Sequence, residues 1–309
     1  MVEIFLKTLP FFGVIALGYG AGRTQFFSED ATAYLTKFVF FFPLSAMLFK
    51  FAAHLDIGDV WDWNYIFAYL LGTSVIYIVA TTIALIRQRG VAEAAVEAQC
   101  AVIGNVGFLG IPMLALLLGP AAVPYVMMLL AVDLIVFSSV IVILLSGSRQ
   151  GGLHLGLLKT AGAGLLRNPM VVSMALGLSW SAFALPIPDP VDAFLDLLSG
   201  AATPGALFAV GASLASKSAE RLSIAGYLSF FKLVVHPAAI AFCALVLFPV
   251  PPFAAGVMIA AAALPVAGNV FMLAQHYGVA PQRASASILI STVLSILTLP
   301  LVIGWVTSF

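Results

Sequence analysis

Two stretches carry residue types that can hold a small polar ligand: Gly104-Asn105-Val106-Gly107-Phe108-Leu109-Gly110-Ile111-Pro112 and Leu264-Pro265-Val266-Ala267-Gly268-Asn269. Glycine weakens a helix and proline removes a backbone donor and clashes with the preceding turn, so a helix should break in each. At a break one half-helix presents free N–H groups and the positive end of its dipole, which suits an anionic group such as a carboxylate. Asn105 and Asn269 add amides that both donate and accept. Gly104, Gly107, Pro112, Pro265 and Gly268 would shape the breaks. The competing structural reading is that small residues only allow close helix packing and the prolines only kink. That the two stretches share an Asn as well as Gly and Pro favours a binding site.

Three further residues are ionisable inside apolar sequence: Asp133, Lys232 and His236. Asp133 lies about twelve residues into its apolar run, roughly 18 Å at 1.5 Å per residue, and Lys232 at similar depth. His236 follows Lys232 by one helical turn and shares its face. Charge at membrane depth is a functional hypothesis by default. These groups are read as a polar support or coupling group behind the breaks, able to balance charge or carry a proton, or alternatively as a fixed buried pair that only packs. Lys37 is expected to snorkel, and Glu97 to sit at a solvated helix end.

Catalysis finds little support. Membrane aspartyl proteolysis needs a pair of aspartates, and only Asp133 is central. No HExxH occurs, and His54, His154, His236 and His276 are far apart in the chain. Ser213, in Gly211-Ala212-Ser213, reads as packing. No catalytic residue, metal ligand or cofactor is expected. Cys100 and Cys243 lie in apolar runs and read as buried thiols.

The elements that must position these residues follow from composition. The 309 residues are 62% hydrophobic and 8% charged, which excludes a soluble domain. Thirteen basic residues balance thirteen acidic ones, which leaves no nucleic-acid footprint. Runs long enough for membrane helices lie near 5–22, 31–52, 64–86, 93–118 and 121–146, then near 169–186, 191–215, 222–248, 252–277 and 282–307. We number these segments one to ten. The division is a first half, 1–146, a connecting loop, 147–167, and a second half, 168–309. That loop is too short for a nucleotide-binding domain, and no GxxxxGK[ST] motif occurs, which excludes ATP-driven transport by this chain alone. Arg23, Arg87, Arg89, Arg149, Lys159, Arg167, Lys217, Arg221 and Arg283 follow odd-numbered segments, so those loops should be cytoplasmic and both termini extracytoplasmic. The other loops carry Asp56, Asp59, Asp62, Asp189 and Asp192, with Lys50 as the exception. Residues 1–22 lack a clean signal-peptide n-region, because Glu3 balances Lys7.

Three short matches in the same order read as an internal repeat of the two halves, against the alternative of chance similarity in low-diversity apolar sequence. Pro10-x5-Ala16-Leu17-Gly18 recurs as Pro169-x5-Ala175-Leu176-Gly177. Pro43 pairs with Pro204, and Gly104-Asn105-Val106 with Gly268-Asn269-Val270, at nearly constant offset. Five segments per half is an odd number, so the second half enters the membrane inverted, the plan of many secondary transporters. Paired interruptions in corresponding segments, here four and nine, then point to a midplane site.

The residues 104–112, with Ala274-Gln275-His276-Tyr277-Gly278 and Ser291-Thr292-Val293-Leu294-Ser295-Ile296-Leu297-Thr298-Leu299-Pro300, resemble motifs of the auxin efflux carrier family. That family joins plant PIN-FORMED carriers to bacterial permeases described as malonate or malate transporters. The resemblance spans the chain, except for the long cytoplasmic loop of many plant carriers. It implies the all-helical, ten-helix fold of bile-acid symporters and sodium/proton antiporters. Segments 1, 2, 6 and 7 would be scaffold and the others a moving transport domain. It further implies that Asn105 and Asn269 flank substrate at a crossover, that Pro112 and Pro265 hold the breaks open, and that the protein is a homodimer in a bacterial-type inner membrane. The expected function is secondary transport of small organic anions by alternating access, with proton or sodium as the open choice of coupling ion. A passive channel is the nearer rival and an intramembrane hydrolase the more remote one.

Overall fold

A computed structural model describes residues 2–55, 62–150, 156–216 and 222–308. Asp56, Asp59, His154, Lys217 and Arg221 lie outside the described residues. The first half contains α1 (Val2–Arg23), α2 (Glu29–Phe41), α3 (Pro43–Ala53), α4 (Trp63–Ile86), α5 (Val91–Val102), α6 (Val106–Leu118) and α7 (Pro120–Arg149). Then come α8 (Gly156–Arg167), α9 (Pro169–Ala182), α10 (Asp189–Gly200), α11 (Ala202–Ala215), α12 (Leu222–Leu247), α13 (Pro252–Ala262), α14 (Gly268–Tyr277) and α15 (Pro281–Val306). Among the described residues seven helical stretches are long and apolar enough to cross a membrane, and α6, α9 and α13 are shorter apolar helices. The interval 147–167, expected as a loop, is largely helical. There α7 runs on to Arg149, and α8 buries Leu157 and Ala161 while exposing Lys159 and Arg167.

Local chemistry accounts for the helix limits. Ser28, Asp62 and Asn168 accept hydrogen bonds from Ala31, Asn64 and Met170 N–H groups at 3.2, 2.8 and 3.0 Å, capping α2, α4 and α9. α3 starts at Pro43, whose missing N–H ends α2. The repeat-related Pro204 lies in the first turn of α11, just beyond the break after α10. α14 stops at Gly278, which takes the left-handed cap with φ 62°.

Two interfaces bring backbones into contact. α1 packs on α11, and α9 packs on α3. A Cβ on Gly18 would overlap the Phe208 carbonyl, and one on Gly177 would sit 2.6 Å from Ala52 Cβ, so only glycine permits either crossing. These two glycines are the repeat-related pair. The core lies elsewhere: every residue of α5 from Ala94 to Val102, and of α13 from Ala254 to Ala262, is buried. α4, α7, α12 and α15 pack around them.

Candidate functional site

Both expected breaks are present, and they meet. Between α5 and α6 the chain is extended at Ile103, and between α13 and α14 at Ala267. Gly104 and Val266 form an isolated antiparallel bridge. Asn105 N–H donates to Pro265 O at 2.8 Å and Ala267 N–H to Ile103 O at 3.1 Å. The outer side of the second strand is held by Ser291 on α15, whose Oγ accepts from Val266 N–H at 3.0 Å. Non-helical backbone buried among apolar helices must find partners, and here each break supplies them to the other. The ends of α5 and α13, negative by their dipoles, and the starts of α6 and α14, positive, therefore converge on one place.

The two asparagines are placed differently. Asn105 is 6% exposed, and its carbonyl accepts from Leu109 and Gly110 N–H. Asn269, in the first turn of α14, is half-buried and its Oδ1 has no protein partner. Gly268 beside it is exposed, and a Cβ there would meet nothing within 4 Å. Open space therefore lies in front of the α14 N-terminus. Gly107 is crowded by Met170 of α9, whose Cε would lie 2.6 Å from a Cβ. Phe108 stacks on Phe40 of α2 at 6.2 Å between centroids. Composition offered no signal for Met170 or Phe40, since apolar residues in apolar segments look alike.

Pro265 lies within the second break, but Pro112 does not lie within the first. It sits in the first α-turn of α6, after a π-helical turn at Val106–Gly110. A proline ring clashes with the carbonyl four residues earlier, and a widened turn relieves this. The same order recurs on α12, where a π-turn at Phe231–Val235 precedes Pro237.

Lys232 and His236 come together, and Asp133 joins by another route. Lys232 is fully buried and donates Nζ to the Ala262 carbonyl at the end of α13. Its Nζ lies 3.4 Å from His236 Nδ1. His236 Nε2 lies 3.1 Å from Thr73 Oγ1, so the imidazole links the lysine to the threonine hydroxyl. Gly104 makes room for the lysine: a Cβ there would lie 3.3 Å from Cε and Nζ. Asp133 instead accepts at Oδ1 from Tyr69 O–H at 2.8 Å, and its Oδ2 is buried without a partner. The ion pairs within 4 Å among the described residues do not include Asp133 with Lys232. The hydrogen-bond partner of the lysine is a helix C-terminus, with Asp133 acting on it through space, an arrangement that hydropathy cannot reveal. Tyr69 and Thr73, one turn apart on α4, were missed for the same reason.

Two other charges correct the sequence reading. Glu97 is not solvated: it is 1% exposed and takes Arg87 Nη1 at 2.9 Å and Arg283 Nη1 at 2.8 Å. Lys50, the exception to the charge pattern, is neutralised by Asp192 at 2.9 Å and Asp196 at 2.6 Å on α10. Lys37 is exposed.

Comparison with known proteins identifies the family of the chain. Residues 3–303 match the family described as "Membrane transport protein". The chain is 31% identical to a "Putative malonate transporter" of Rhizobium meliloti (strain 1021), covering 96% of this chain and 94% of that protein. It is 27% identical to "Uncharacterized transporter YfdV" of Escherichia coli (strain K12), covering 97% of each. A 26% identical match to the "Lysosomal cholesterol signaling protein" of Mus musculus covers 70% of this chain but 26% of that protein. Whole-length agreement with the family and with a relative above 30% identity shows that this chain belongs to the auxin efflux carrier family of membrane transport proteins.

Proposed function

We propose that the protein is a secondary transporter of small organic anions, of the mono- or dicarboxylate class, which binds its substrate where the two breaks cross. The observation that carries this reading is the pairing of Ile103–Asn105 with Pro265–Ala267, which gathers two helix N-termini around one point. Unsatisfied N–H groups and dipole charge at those ends favour a carboxylate, and Asn269 Oδ1 remains free to orient a hydroxyl or protonated acid. The malonate name of the Rhizobium relative points to the same ligand class.

On this reading the chain crosses the membrane ten times, as halves 1–146 and 168–309 of inverted topology joined through 147–167. The reciprocal packing of α1 on α11 and α9 on α3 supports that symmetry. Those helices, with α2 and α10, form a rigid frame. The remaining helices carry the crossing past it in an elevator motion, with Asp133, Lys232 and His236 supporting it from behind. The termini face outward from a bacterial-type inner membrane, and the frame is the homodimer surface. Proton or sodium is the coupling ion.

The test is a thermal-shift titration of purified protein with malonate, malate and monocarboxylates at several pH values and sodium concentrations, since a ligand of the folded state raises its apparent stability. Saturable stabilisation by a carboxylate, shifted to roughly tenfold higher concentration in Asn269→Ala, is expected. Unchanged affinity in folded Asn269→Ala and Asn105→Ala would move the site away from the crossing. Counterflow in vesicles separates a carrier from a channel, which shows none.

A further inference from the structure

One end of the molecule holds a charged cluster that the crossing does not use. Arg87 and Arg89 lie beyond the end of α4, Glu93 and Glu97 near the start of α5, and Arg283 in the first turn of α15. Arg283 is 6% exposed, and both its ion pairs run through Nη1, to Glu93 Oε2 at 2.9 Å and Glu97 Oε1 at 2.8 Å. Arg89 comes no nearer than 4.0 Å to Glu93, and its Nε is buried without a partner. Three guanidinium groups thus face two carboxylates. A cleft of about 500 Å³ opens beside them, lined by Arg89, Glu93, Gly278, Pro281, Gln282 and Arg283. A fourth guanidinium, Arg149, stands at the rim: it donates Nη2 to Tyr277 O at 2.6 Å and lies 4.0 Å from where a Cβ on Gly278 would be. The N-terminus of α15 opens here as well, and its dipole opposes the buried Arg283.

We propose that this cleft is a second anion site, which takes a carboxylate or phosphate oxyanion between Arg89 and Arg283, from a small acid in solution or from the headgroup of an anionic lipid. Arginine presents a planar fork of donors matched to such oxyanions. Arg283 commits one nitrogen to the glutamates, Arg89 Nε has no partner among the described residues, and three guanidinium groups outnumber the two carboxylates they face. The ten residues of α14 separate the cleft from the crossing, about 15 Å at 1.5 Å per residue. The proposal stands on the arginine cluster, independently of what the crossing binds.

The experiment uses the full-length protein in neutral detergent, titrated with inorganic phosphate and with malonate by thermal shift. In parallel, native mass spectrometry follows protein from phosphatidylcholine nanodiscs with and without phosphatidylglycerol. Arg283→Gln also strips a partner from buried Glu97, so the test rests on Arg89→Gln, which breaks no short ion pair. A small-acid ligand would show as phosphate binding that falls roughly tenfold in Arg89→Gln and persists in Asn269→Ala, whatever malonate does at the crossing. A lipid ligand would show as retained phosphatidylglycerol that Arg89→Gln loses, with no solute binding at this site. Solute and lipid binding equal to wild type in Arg89→Gln would overturn the proposal. Malonate binding that is unchanged in Asn269→Ala and Asn105→Ala but falls in Arg89→Gln would sink the crossing reading and leave this one standing.

Discussion

The two breaks carry the same Gly-Asn-Val sequence, yet they are not equivalent. The first is sealed: Asn105 is 6% exposed, Gly104 is packed against Lys232, and Gly107 lies under Met170. The second is open on one side, with Gly268 exposed, Asn269 Oδ1 unpartnered, and Lys232 and Ser291 holding its backbone from behind. A repeat can thus set the topology of both breaks while neighbours from α12 and α15 specialise one of them. The first break is packed on its neighbours, and the second leaves an amide oxygen without a protein partner.

The largest effect should separate the two glycines. Gly104→Leu must displace Lys232 from the Ala262 carbonyl, and overpacking of that kind costs about 1–3 kcal/mol, with the lysine's lost partners in addition. Gly268→Ala meets no atom and should unfold within a degree or two of wild type. Thermal unfolding in detergent compares them, and equal losses would erase the distinction between sealed and open breaks.

Next in size is Lys232→Met, which leaves the Ala262 carbonyl without its lysine donor and should cost about 1–3 kcal/mol. Because Asp133 hydrogen-bonds to Tyr69 and meets Lys232 only through space, adding Asp133→Asn should restore part of the lost stability and not all of it. Full recovery in the double variant would instead show a mutually neutralising pair.

For binding, Asn269→Ala should weaken carboxylate affinity roughly tenfold, in line with a hydrogen bond to a charged group, and Asn105→Ala should weaken it less. The reverse order would assign the ligand to the first break. The smallest effect is expected from Ser291→Ala, which orphans Val266 N–H and should cost about 1 kcal/mol with the first break untouched. Faster amide exchange at Val266, with Asn105 unchanged, is the readout.

What was legible in the sequence was local. Each of the ten apolar intervals contains helix, because a run of apolar residues in the membrane has few other ways to satisfy its backbone. Pro43, Pro265 and Gly278 end helices where their covalent geometry requires it. The glycines of the repeat, Gly18 and Gly177, could be found by pattern, although their role at reciprocal crossings could not. Such rules act over a few residues, and partner choice does not. That Ile103 pairs with Ala267, that Lys232 answers a helix C-terminus and Asp133 a tyrosine, that Glu97 is clamped by two arginines, and that Pro112 falls outside its break follow from which helices pack together. A buried polar atom must find a partner wherever the packing puts one, and residues far apart in the chain become neighbours only when the tertiary structure forms.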